Sequence, residues 1–146
     1  MAGDERSPKT ALFQRPFALW LQRLVVAATG AYAALVVFAT HYPKPQELVG
    51  GGLPSDKLLH FVAYGLLGFL AALVLRSRGR LVGRVTPLLA AGLAVWCVID
   101  EATQPLFGRH ADPLDWMYDV IGLAVGIGTV LAVSMLTEWL EGRRPG

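Results

Sequence analysis

Four apolar blocks, each bounded by charge or by proline- and glycine-rich sequence, divide this chain: Leu24–Thr40, Leu58–Leu75, Leu88–Ile99 and Val120–Leu136. With flanking residues such as Phe17–Gln22, Leu81–Val85 and Trp116–Tyr118, each reaches about 17–22 residues, enough to cross a hydrocarbon core of roughly 30 Å. The third is the weakest, because Thr86 and Pro87 interrupt its start. The middles of the blocks are apolar all round. A soluble bundle needs polar stripes on its helices, so the pattern favours lipid as the solvent. The chain has 146 residues, 54% of them hydrophobic, which suits one such domain.

The expected fold is therefore an all-α membrane protein, a compact bundle of four transmembrane helices. The helices run over roughly 17–40, 57–75, 84–104 and 113–137, within a single domain of residues 17–140. A polar basic arm, 1–16, precedes it, and a short tail, 141–146, follows. A basic leader and the Ala31-Tyr-Ala33 triplet give the first block some likeness to a signal peptide. The apolar run continues to Thr40, however, and an uncleaved first helix is expected. Cys97, the only cysteine, excludes an intramolecular disulfide and any multi-cysteine metal site.

Charge divides between the connections. Arg6, Lys9, Arg15, Arg23, Arg76, Arg78, Arg80, Arg84, Arg143 and Arg144 fall on one side, and only Lys44, Lys57 and Arg109 on the other. Ten basic residues against three predicts a cytoplasmic location for both termini in a multi-pass cell-membrane protein. The acids Glu47, Asp56, Asp100, Glu101, Asp112, Asp115 and Asp119, and all three histidines, His41, His60 and His110, then lie toward the outside. Trp20 and Trp139 suit the inner interface, and Tyr42, Trp116 and Tyr118 the outer one. Residues 41–55 form a Pro/Gly-rich outer loop and 76–84 a short basic inner one. Nothing in this distribution suggests nucleic acid as a partner.

Helical spacing gathers the polar residues. Asp112, Asp115, Asp119, Gly122 and Gly126 follow a 3-4-3-4 spacing, one stripe of a helix that starts near Asp112. Gly122 and Gly126 make a GxxxG surface that lets two membrane helices approach closely, so the carboxylates point into a packing seam. In the third helix Ala90, Ala94, Cys97, Glu101 and Gln104 share a small-residue stripe, whereas Leu89, Leu93, Trp96 and Asp100 share a bulky one. Glu101 and Gln104 are expected in the interior, with Asp100 supporting from beside them. His60, Tyr64 and Gly68 share a face of the second helix, with Asp56 and Lys57 at its mouth. Ser55 or Asp56, after Pro54, suits a helix start.

Simpler roles exist for each residue: helix cap, snorkelling lysine, interhelical ion pair, or a polar network that pins helix register. Convergence favours a functional cluster, because three helices place ionisable groups at one depth and on one side. His60 and Asp119 lie about three residues inside their helices, roughly 4–5 Å at 1.5 Å rise per residue. Nothing ionisable lies deeper, which disfavours a proton relay or an ion channel through one subunit.

Two stretches resemble the signatures of the VanZ-like family of small bacterial membrane proteins: DKLLHFVAYGLLG, Asp56–Gly68, and DEATQPLFGRHADPLDWMYDVIGLAVG, Asp100–Gly126. The family is named for an accessory protein associated with low-level resistance to the glycopeptide teicoplanin. The resemblance implies residence in the bacterial cell envelope without implying a reaction or resistance itself. The family-type positions are Asp56, Lys57, His60, Tyr64, Glu101, Gln104, Arg109, Asp115 and Asp119, with Asp100 and Asp112 supporting. Two departures stand out. Phe107 precedes Gly108 where many members have Pro and one further residue, and Asp119 stands where many have Asn.

Three functions compete. The first is an accessory or binding protein for an envelope lipid or lipid-linked cell-wall precursor, with Lys57, Arg109 and His60 on phosphate. The second is a membrane enzyme acting on a lipid headgroup or polyprenyl phosphate. There Glu101 or Asp115 would serve as base, His60 as acid or base, and Arg109 as anion stabiliser. No Ser or Cys nucleophile stands beside a base and no HExxH spacing is present, so catalytic residues are unassigned. The third is a structural subunit of a membrane assembly, and the oligomeric state stays open. Carboxylates with one histidine also suit a divalent metal at the acidic cluster.

Overall fold

The computed structural model describes residues 8–44 and 56–142, with side chains from residue 19 onward. The described residues form four α-helices: α1 (Pro8–His41), α2 (Asp56–Ser77), α3 (Val85–Thr103) and α4 (Pro113–Gly142). A 3-10 turn, Gln104–Phe107, extends α3. All four contain stretches long and apolar enough to cross a membrane. Helix α1 begins at Pro8, inside the stretch expected as an arm. The side chains of Lys9, Arg15 and Phe17, and all of Arg6, Glu47, Pro54, Ser55, Arg143 and Arg144, lie outside the described residues, as does most of the 41–55 loop.

Apolar side chains face outward as well as inward, unlike in a soluble bundle. Large apolar side chains cover the outside: Leu88 is 70% and Met135 67% exposed. The interior combines large apolar side chains such as Tyr64, Leu67, Leu123 and Val130 with small and polar residues, among them Gly68, Ala72, Cys97, Gly122 and Gly126. In lipid this arrangement costs nothing, since tails outside are as apolar as any side chain. What holds the helices together is close contact and interhelical hydrogen bonding.

Helices α2 and α4 form the tightest pair. A Cβ added at Gly122 would run into the Phe61 carbonyl oxygen, and one at Gly126 into the Gly65 carbonyl oxygen. Gly68 packs the same way, with its Cβ position 2.7 Å from the Leu123 carbonyl oxygen. Gly65 is thus the counterpart of the GxxxG pair, and Gly68 faces α4 as well. Helix α1 attaches through Tyr32, whose hydroxyl donates to the Ala63 carbonyl at 3.1 Å. Near the other end, Gln22 donates to the Ser77 carbonyl at 3.4 Å.

Short turns reverse the chain between helices. Gly79 leaves α2 with φ 63°, and the Arg80 amide bonds the Leu75 carbonyl at 2.9 Å, a Schellman closure. Leu81 then folds back as a buried residue over Ala72, Ile127 and Val130. Pro87 is tolerated because first-turn amides have no intrahelical acceptor to lose. At the opposite end, Gly108 with φ 79° closes the 3-10 turn, and the chain enters α4 after Asp112. The ends of α1 and α3 and the starts of α2 and α4 therefore meet at one charged end.

Candidate functional site

The start of α4 organises the charged end. Asp112 caps it: Oδ1 accepts from the Leu114 amide at 2.9 Å, and its carbonyl accepts from the Asp115 amide at 2.9 Å. Pro113 occupies the first helical position, which needs no amide donor. Asp115 and Asp119 then face inward, both buried. Asp112 itself sits just before the helix, so it is the cap and not the first member of the stripe.

Two cation clamps cover the mouth. Lys57 Nζ reaches Asp112 Oδ2 at 2.7 Å and Asp115 Oδ1 at 3.3 Å. Its bond to Asp112, followed by the Leu114 amide, holds the Asp112 carboxyl below the usual carboxylate range. Arg109, turned back by Gly108, donates from Nη2 to Asp56 Oδ2 at 2.8 Å. Its Nη1 donates to the Thr40 carbonyl at the end of α1, also at 2.8 Å. One guanidinium thus joins three segments.

Below the clamps lies a buried layer. His60 Nδ1 is 2.9 Å from Asp119 Oδ1, and His60 Nε2 is 3.8 Å from Asp115 Oδ2. Glu101 receives the Gln104 side-chain amide at 3.0 Å on Oε2 and the Asp112 backbone amide at 2.5 Å on Oε1. Among the described residues, four buried side-chain atoms in this region have no hydrogen-bond partner: Tyr64 Oη, Asp100 Oδ2, Gln104 Oε1 and Asp119 Oδ2.

The nine residues expected in the polar cluster, Asp56, Lys57, His60, Tyr64, Glu101, Gln104, Arg109, Asp115 and Asp119, lie at this end. Asp100, expected beside Glu101 and Gln104, is as deeply buried as they are, 1% exposed against 6% for Glu101. The reason is α1, which covers that side: Thr40 Oγ1 donates to Asp100 Oδ1 at 3.1 Å. His41 lies alongside, with Nδ1 3.6 Å from Asp100 Oδ1 and Nε2 2.9 Å from Thr103 Oγ1. Thr40, His41 and Thr103 are therefore site residues that spacing did not reveal. A polar Thr-His pair ending an apolar block is the only sequence signal they carry.

Two cavities open here. One, of about 320 Å³, is bordered by Pro43, Lys57, His110, Asp112 and Asp115, together with Asp56 and Arg109. The other, of about 220 Å³, runs between α1 and α2 along Tyr32, Val36, Ala39, Leu59 and Ala63, and reaches His60. Asp56 and Arg109 border both. No family model, no curated protein and no solved structure matches this chain.

Proposed function

We propose that this chain is a VanZ-like protein of the bacterial cell envelope that binds an envelope lipid or lipid-linked cell-wall precursor at the outer face of the membrane. The observation that carries the reading is the junction of the two cavities at Asp56 and Arg109. A charged mouth beside an apolar groove between α1 and α2 has the shape of a site for an amphiphile. The headgroup would lie by Lys57, Arg109 and His110, and a chain along Ala39 and Ala63. The family reading is supported by the resemblance of Asp56–Gly68 and Asp100–Gly126 to the VanZ-like signatures, and the outward placement by the ten-to-three division of basic residues.

Both cations already hold carboxylates, Lys57 those of Asp112 and Asp115 and Arg109 that of Asp56. A phosphate therefore binds by exchange with these acids, which gives selectivity for a ligand able to replace two hydrogen bonds at once. Native mass spectrometry after mild detergent extraction tests the reading. The wild type should retain a lipid that Arg109→Gln and the groove-filling Ala39→Phe both release. Equal retention in all three proteins rejects it.

A second reading, an enzyme acting on a lipid headgroup, draws on the 2.9 Å His60–Asp119 pair beside Glu101. A carboxylate that orients an imidazole is a recurrent general acid–base arrangement. Turnover of polyprenyl phosphates by purified protein, lost in Glu101→Gln, would establish it.

A further inference from the structure

We propose that His60, Glu101 and Asp119 bind one divalent first-row transition ion, of the Zn²⁺ or Mn²⁺ class, beneath the clamped mouth. One ligating atom from each residue lies within 4.8 Å of the others, and all three residues are buried. They come from α2, α3 and α4, so the ion would tie three helices at one point.

Charge is the first argument. Among the described residues, the lysine and arginine ion pairs at this end go to Asp112, Asp115 and Asp56, and none reaches Glu101 or Asp119. Glu101 and Asp119 are two buried carboxylates with ligating atoms within 4.8 Å of each other, and the His60 imidazole beside Asp119 supplies at most one positive charge against the two. One divalent ion balances both. A second triad, Asp56, His60 and Asp115, also converges. It is the poorer site, because Arg109 sits 2.8 Å from Asp56 and Lys57 3.3 Å from Asp115.

Unsatisfied oxygens supply an independent argument. Asp119 Oδ2 and Gln104 Oε1 are buried with no donor, on side chains that are fully buried. Both are acceptors, and the one unpartnered donor in the layer, the Tyr64 hydroxyl, can satisfy at most one of the three unpartnered oxygens there. The 2.9 Å hydrogen bond between His60 Nδ1 and Asp119 Oδ1 already brings two ligand types together, and tetrahedral bonds of about 2.0–2.2 Å, which put ligand atoms roughly 3.4 Å apart, need it to open by only about half an ångström. Glu101 is held by the Gln104 amide and the Asp112 backbone amide, as metal-bound carboxylates commonly are.

The donor set selects the ion. Imidazole with carboxylates favours a borderline first-row cation, whereas Mg²⁺ and Ca²⁺ prefer all-oxygen surroundings. A way in exists from the charged end, since His60 borders the cavity between α1 and α2.

The test uses full-length, tag-free protein in detergent, stripped with chelator and titrated with Zn²⁺, Mn²⁺, Mg²⁺ and Ca²⁺. Bound metal is counted by mass spectrometry. The expected result is about one Zn²⁺ or Mn²⁺ per chain, with affinity lowered at least roughly tenfold in Glu101→Gln and Asp119→Asn. Glu138→Gln, at the far end of α4, should bind as the wild type does. X-ray absorption on the wild type, which needs no variant to fold, should show one imidazole among oxygen ligands. Absence of bound metal, preference for Ca²⁺ or Mg²⁺, an imidazole-free spectrum, or affinity unmoved in folded forms of both variants would overturn the site. Lipid retention measured on the same samples reports separately on amphiphile binding, so the two readings fail independently.

Discussion

Four atoms of Asp112 hold four partners: its amide donates to Glu101, its carbonyl and Oδ1 accept from the first turn of α4, and Oδ2 accepts from Lys57. This residue links the cap, the clamp and the buried layer. Its carboxyl is held below the ordinary value of about 3.9. A depressed carboxyl pKa contributes stability that is complete above the unfolded value and is lost as pH falls through the folded one. Asp112→Asn should therefore lower the unfolding midpoint by a constant amount between about pH 5 and 8, with the gap to the wild type closing below roughly pH 4. Thermal unfolding across that range checks it. A gap that instead widens on acidification contradicts the assignment. The role of Asp112 was only half legible beforehand: spacing found the residue, but which of its atoms meets Lys57 depends on how α2 approaches α4.

At the scale of the elements, the α2–α4 seam rests on backbone contact at Gly65, Gly68, Gly122 and Gly126. Gly126→Ala should force the pair apart and cost about 1–3 kcal/mol, since the obstruction is backbone and cannot rotate away. Gly128 has nothing within 4 Å of its Cβ position, so Gly128→Ala should leave stability unchanged or raise it slightly. Comparing the two unfolding midpoints in detergent tests the seam, and equal losses would contradict it. The GxxxG pair was readable on α4 alone. Its partner Gly65 was not, because a glycine one residue past Tyr64 sits beside the His60 stripe and only the crossing of the two helices brings it to Gly122. The Thr40 partner of Asp100 was hidden for a related reason: periodicity ranks the faces of one helix and does not say which neighbouring helix covers them.

For the whole molecule, the proposed orientation predicts which end meets the outside. In a Cys97→Ala background, a membrane-impermeant maleimide applied to intact cells should label His110→Cys and leave Arg78→Cys unlabelled. Both positions are exposed, so access to the reagent is decided by sidedness alone. The reverse pattern would invert the bundle and move the charged end to the cytoplasm.

Four helices long and apolar enough to cross a membrane follow from the sequence alone, because hydrocarbon demands long uninterrupted apolar helices and leaves few other solutions, whereas the extension of α1 back to Pro8 does not. The gathering of Asp56, His60, Glu101, Asp115 and Asp119 at one end follows too, since antiparallel helices bring alternate ends together. Tertiary structure alone decided the pairing within that end. It put Lys57 on Asp112 and Asp115, put Arg109 on Asp56, left Glu101 and Asp119 without a lysine or arginine, and brought in Thr40, His41 and Thr103 from the margins. Such choices turn on separations of a few ångströms between different helices. Those separations are set by where glycines let backbones touch, and no single helix encodes them.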